Sequence, residues 1–186
     1  MEQQDNGSGI VVLGLGNPVL TDDAAGLRVI EELERLLAAR PIPGVTVEAS
    51  MRAGFELIDL LHGYRYALIV DCLDIPDPVP GQLRRLTLES VEGMARLVNV
   101  HELSISSAFK LGRHMGIALP EHVEIFAIEA GDVRTIGEEL TPAVAAAVKP
   151  LAHMVYNRLQ ELKSEAGQGN APQGSRRSFY DPRADS

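Results

Sequence analysis

The apolar positions of this chain follow two rhythms, and their alternation predicts its architecture. Unbroken apolar runs at Ile10-Val11-Val12-Leu13 and Tyr66-Ala67-Leu68-Ile69-Val70 read as strands buried on both faces, the kind found in parallel sheets. Val45–Ala49 and Val123–Ile128 read as further strands, and Gln82–Thr87 as an edge strand. Between these runs apolar residues recur every three or four positions. Leu27, Ile30, Leu33 and Leu37 form one such stripe, with Arg28, Glu31, Glu32, Glu34 and Arg35 opposite. A short helix opening at Ala53-Gly54 carries Phe55, Leu57, Ile58, Leu60 and Leu61. A longer one over 103–115 turns Leu103, Ile105, Ala108, Leu111 and Met115 inward, and a final helix runs from Thr141-Pro142 to about Leu162. Strands alternating with helices predict an α/β fold. The expectation is a single domain over 9–162, a mostly parallel twisted sheet of about five strands with helices on both faces. Residues 163–186, mostly Gly, Gln, Pro, Ser and Arg, are expected to form a flexible C-terminal tail.

The first strand–turn–helix unit holds the most informative residues. Gly14-Leu15-Gly16-Asn17-Pro18 breaks the strand, and Thr21-Asp22-Asp23 precedes the helix, with Thr21 or Asp22 as its expected cap. Two adjacent carboxylates therefore stand at the carboxyl edge of a sheet, where open α/β proteins build their sites. A dinucleotide loop is excluded, since G-x-G-x-x-G would need glycine where Val19 stands, and Asp22 and Asp23 repel phosphate. No Gly-Lys-Ser/Thr follows to make a phosphate loop. A cation suits an acidic pair better. Asp71 closes the third strand in the same way, and His101 stands at a helix start. Taken singly, each has a plain structural account as a cap or turn residue. Together, Asp23, Asp71 and His101 are a mixed oxygen and nitrogen set that suits a borderline divalent metal such as nickel or zinc.

Other chemistries lack their motifs. His101-Glu102 is followed by Ile105 where H-E-x-x-H needs histidine, and no G-x-S-x-G elbow occurs. Cys72, beside Asp71, is placed to be a nucleophile but also to alternate into the core as a small apolar residue. His62, His114, His122 and His153 read as surface or packing residues.

Composition narrows the setting. The 186 residues are 45% hydrophobic, enough for one well-cored domain. A net charge of −9 argues against nucleic acid or an anionic membrane as partner, and a lone cysteine against an internal disulfide or a cysteine zinc cage. An acidic N-terminus with no long apolar segment gives no secretion signal and no membrane span, so the expected location is cytoplasmic. The sequence does not identify the oligomeric state, and a monomer is the working expectation.

These motifs resemble the nickel–iron hydrogenase maturation proteases. The resemblance runs from Gly14-Leu15-Gly16-Asn17, Asp22-Asp23 and Gly26 through Ala53-Gly54-Phe55-Glu56-Leu57 and Ile69-Val70-Asp71. It continues in Pro80-Gly81 and His101-Glu102-Leu103-Ser104, and closes with Ile136-Gly137-Glu138-Glu139-Leu140-Thr141-Pro142. It implies a metal-dependent, nickel-recognising endopeptidase that removes the C-terminal extension of the hydrogenase large-subunit precursor once nickel is inserted. It also implies that the nickel arrives with the substrate and that Asp23, Asp71 and His101 serve as both metal-contacting and catalytic residues. A non-catalytic nickel-checking or chaperone factor is the alternative. One stretch departs from the family, which often has an acid, two glycines and Thr where this chain reads Ala49-Ser50-Met51-Arg52. That departure bears on which precursor is accepted.

Overall fold

The computed structural model describes residues 9–51, 54–94 and 100–167, with the backbone alone at 92–94, 100–104 and 166–167. Its centre is a five-stranded sheet. The strands are β1 (Ile10–Leu15), β2 (Val45–Ser50), β3 (Tyr66–Leu73), β4 (Leu83–Thr87) and β5 (His122–Glu129). They lie in the order β2-β1-β3-β5-β4, the first four parallel and β4 antiparallel at the edge. The helices are α1 (Ala25–Ala39), α2 (Leu57–Leu61), α3 (Leu88–Met94), α4 (Val100–His114) and α5 (Pro142–Gly167).

Alternation along the buried strands divides the core into two layers, because successive side chains of a strand point to opposite faces. Ile10, Val12, Leu68, Val70, Cys72, Phe126 and Ile128 pack under α1 and α5. Val11, Leu13, Ala67, Ile69 and Ile125 pack under Leu57 and Leu61 of α2, Val91 of α3, and Ile105 and Phe109 of α4. Every residue of β1 and β3 is buried, as their unbroken apolar runs predict.

The departures from expectation are local. The inward stripe of α4 is Ile105, Ala108, Phe109 and Gly112, the last lying against Leu119. Leu111 and Met115, expected inside, are exposed, because the stripe is turned one residue from the one that the leucine spacing suggests. Phe55 belongs to a 3-10 turn, Gly54–Glu56, and is also exposed. Helix α3 was not legible, since Leu88–Met94 is one short turn pair with Gly93 inside and only Val91 shown buried. Helix α5 runs to Gly167, five residues past its expected end, and Arg158 pairs with Glu161 and Glu165 along it. Residues 163–167, expected to open a flexible tail, are helical, and the rest of that expected tail, 168–186, lies outside the described residues. Among the described residues no helix is long and apolar enough to cross a membrane.

Candidate active site

The turn after β1 is built on two glycines. Gly16 has φ +154°, and a Cβ there would lie 2.1 Å from the carbonyl oxygen of Asp23. Asn17 closes the turn, its side-chain oxygen accepting from the Val19 amide at 3.1 Å and its own amide donating to the Asp23 carbonyl at 3.3 Å. Gly26 lets α1 approach the sheet, since a Cβ would meet the carbonyl oxygens of Leu15 at 2.1 Å and Val70 at 2.7 Å. The glycines therefore set how closely the acidic turn sits above β1 and β3. Gly16→Val is expected to lower Tm by roughly 5–10 °C, the response of a domain this size to a few kcal/mol of clash and backbone strain. Thermal melting by circular dichroism checks this, and a loss below about 2 °C would show that the turn tolerates a side chain.

Asp22 is the residue the sequence placed wrongly. Neither it nor Thr21 caps the helix: no side-chain capping bond forms at the start of the Asp22–Ala24 turn or of α1. The Asp22 side chain is wholly buried and takes four hydrogen bonds from the segment that follows β5. Its donors are the amides of Gly131 and Asp132 at 2.8 Å, the amide of Thr141 at 2.7 Å and the Thr141 hydroxyl at 2.9 Å. Thr141 is also where α5 begins, its carbonyl accepting from Ala145. The same segment is stitched to the turn by Thr21, whose amide and hydroxyl both donate to the Thr135 carbonyl, and by a bridge between Leu20 and Ile136. Asp22 thus ties the loop after β5 and the head of α5 to the loop after β1.

Asp71 lies one residue beyond the pairing of Gly14 with Val70, near the carboxyl end of β3. The amide of Cys72 donates to its Oδ1 at 2.8 Å, and its side chain is buried. Burial pushes its carboxyl up to about 7, the Cys72 hydrogen bond opposes this, and the negative charge of Asp23 adds to it. Asp23 and Asp71 are therefore close enough to sense one another, as two acids sharing a cation must be. Alternation assigns Asp71 to the face of Ala67 and Ile69, the face that α4 covers. His101 lies in the first turn of α4, and its side chain lies outside the described residues. Among the described residues, which leave out that imidazole, no three or more His, Cys, Asp or Glu side chains form a group able to hold a metal ion. The donor types at Asp23 and Asp71 are hard oxygens, compatible with a divalent cation completed by other ligands.

Cys72 points the other way, into the α1/α5 layer, buried. Burial and the charges of Asp71, Asp22, Asp23 and Asp74 hold its thiol far above the ordinary range, so it carries no thiolate for nucleophilic attack. Of the other described histidines, His122 stacks on Tyr66 at 4.8 Å, His153 bonds the Lys149 carbonyl, and His62 and His114 are exposed.

The fold is an open α/β sheet with Asp71 near the carboxyl end of β3 and Asp23 in the turn that follows β1, and comparison with known proteins gives the family. The family model described as hydrogenase maturation protease matches residues 27–158. The chain is 28% identical over 159 residues to the hydrogenase 2 maturation protease of Escherichia coli, spanning 84% of this chain and 94% of that protein. It is 27% identical over 175 residues to the hydrogenase expression/formation protein HupD of Bradyrhizobium diazoefficiens, spanning 91% of this chain and 86% of that one. The solved structure of the hydrogenase maturating endopeptidase HybD from E. coli superposes with a TM-score of 0.71 at 25% identity, covering 82% of this chain and 93% of that one. The [NiFe] hydrogenase maturation protease HybD from Thermococcus kodakarensis shares the fold, with a TM-score of 0.63 at 22% identity over 81% of this chain and 99% of that one. This chain belongs to the hydrogenase maturation protease family.

Proposed function

We propose that this protein is the endopeptidase that removes the C-terminal extension of a nickel–iron hydrogenase large-subunit precursor after nickel insertion. The observation that carries the reading is the acid pair: a buried carboxylate near the end of β3, Asp71, its pKa raised to about 7 by burial and by the charge of Asp23, in a chain of this family. Two such acids are held together at a cost in charge repulsion and desolvation, which a cation supplied from outside would relieve. Nickel carried in by the substrate would supply Lewis acidity at the scissile carbonyl. Asp23, Asp71 and His101 would complete its coordination. The Cys72 amide orients the Asp71 carboxylate, and the turn closed by Asn17 orients Asp23. One of the two acids takes the proton of the attacking water and passes it to the departing amine as the C–N bond breaks. Because the substrate brings the remaining ligands, the protein alone should hold nickel weakly. Its working location would be the cytoplasm, where the precursor is assembled.

Asp23→Asn and His101→Ala test the site. Each is expected to lower the processing rate of nickel-loaded precursor by at least about 10³-fold, the scale for losing a group that acts in the transition state. The far-ultraviolet circular dichroism should be unchanged. Electrophoretic mobility of the large subunit reads the outcome, and ordinary turnover in either variant removes that residue from the site.

A further inference from the structure

The carboxyl edge of the sheet carries an apolar surface as well as the acids. Eight large apolar side chains are exposed among the described residues, and five stand on loops leaving the carboxyl ends of the parallel strands. Val19 follows β1, Met51 and Phe55 follow β2, Val79 follows β3 and Ile136 follows β5, at 54, 69, 60, 45 and 79% exposure. Single exposed apolar residues need no explanation, but a cluster around a site does. Val19 and Ile136 are neighbours, since the Gly137 amide donates to the Val19 carbonyl at 3.1 Å beside the Leu20–Ile136 bridge. Ser50 pairs with Leu15, so Met51 comes out beside Gly16 and the acidic turn. The Gly54–Glu56 turn that holds Phe55 packs against α4, the helix that carries His101. The apolar residues therefore flank the acid pair on both sides.

We infer that Val19, Met51, Phe55 and Ile136 form the platform on which the precursor segment next to the scissile bond docks. This rests on the reading of the chain as a protease for a large-subunit precursor. The surrounding charge narrows the occupant. In sequence the same loops carry Glu56, Asp74, Asp77, Asp132, Glu138 and Glu139 against Arg52 and Arg134, a net negative charge, so the segment received is apolar with net positive charge. The chain's own residues 168–186 include Arg176, Arg177, Phe179 and Tyr180, of similar chemistry. They follow α5, however, which starts at the carboxyl edge beside Asp22 and runs 26 residues, about 39 Å, to end past Lys163 at Gly44, before β2. Helix α5 thus ends at the opposite edge, which favours the substrate as occupant. Met51 also sits in the stretch where this chain departs from its family, which makes the platform a determinant of which precursor is accepted.

The test is binding and cleavage of the nickel-loaded precursor by the full chain, by Phe55→Ser/Ile136→Ser, and by a control, Met115→Ser, exposed just past the carboxyl end of α4. Affinity is read by interferometry on immobilised precursor, and cleavage by KM and kcat. The double variant should weaken Kd and raise KM by at least tenfold, with kcat at saturation within threefold and Tm unchanged, since neither side chain is buried. The control should match the wild type. Unchanged Kd and KM in the double variant overturn the platform. Failure of the wild type to cleave overturns the protease reading instead, while the interferometry still decides the docking. Two other occupants have their own signatures, and either overturns the inference. A chain ending at Gly167 that binds tenfold tighter than the full chain, and only when Phe55 and Ile136 are present, assigns the platform to the tail. A dimer that the double variant breaks, with KM unchanged, assigns it to a second copy.

Discussion

Asp22→Ala is expected to lower Tm by roughly 10 °C, the largest stability loss of any single site substitution considered. The sequence suggested a lesser role for Asp22, as a cap of the first helix. Its carboxylate holds three backbone amides and a hydroxyl in a fully buried position. Removing it leaves those donors without an acceptor, at about 1–3 kcal/mol each before any water enters. Hydrogen bonds in one network are not additive, so a total near 3–5 kcal/mol is expected. Asp22→Asn should fall between the wild type and alanine, because the amide keeps one acceptor oxygen but adds a donor facing other donors. The released segment, 131–141, leads into α5 and borders the acidic turn, so processing should fall as well. Thermal denaturation measures the first effect. A loss below about 2 °C would show that the four bonds are replaceable.

Asp71→Asn is expected to stabilise the metal-free protein at pH 8 while abolishing processing. The folded carboxyl titrates near 7 against an ordinary value of 3.8. Below pH 4 it is protonated in both states. Between pH 4 and 7 the unfolded chain releases a proton that the folded chain keeps, so stability falls as pH rises, and above 7 the loss is complete. At about 1.36 kcal/mol per pH unit, that span corresponds to roughly 4 kcal/mol. Asparagine keeps the acceptor for the Cys72 amide and never ionises. Its advantage should reach roughly 2–4 kcal/mol at pH 8 and vanish at pH 4. Urea unfolding of both proteins across that range measures it. Parallel pH profiles would show that Asp71 ionises freely in the folded state. A residue that costs stability at working pH and is needed for activity is a functional residue by the usual trade-off.

Much of this was legible in the chain because burial on both faces leaves an unmistakable signal. The runs at Ile10–Leu13 and Tyr66–Val70 give β1 and β3, and the four-residue spacing of Leu33 and Leu37 gives α1. The same patterns place Asp23 in the turn before a helix and Asp71 at a strand end, although β3 in fact runs two residues further, to Leu73, with Asp71 paired to Ala127. What failed to show was what depends on partners distant in sequence. Asp22 reads locally as a helix cap, and its true partners lie about 110 to 119 positions away. The face of α4 was misjudged because Phe109, not Leu111, packs under the sheet, with Gly112 against Leu119, and spacing alone cannot fix a helix's rotation to within one residue. The apolar platform was invisible for a related reason: Phe55 reads as part of the apolar face of a short helix until the fold shows it exposed, as Ile136 is.

The most direct test of the central claim is mass spectrometry of a large-subunit precursor incubated with the purified protein, with and without nickel in the precursor. The account predicts that the nickel-loaded precursor loses its C-terminal extension through a single cut, and that the nickel-free precursor stays intact. No cut in the loaded precursor, or an equal cut in both, would contradict it.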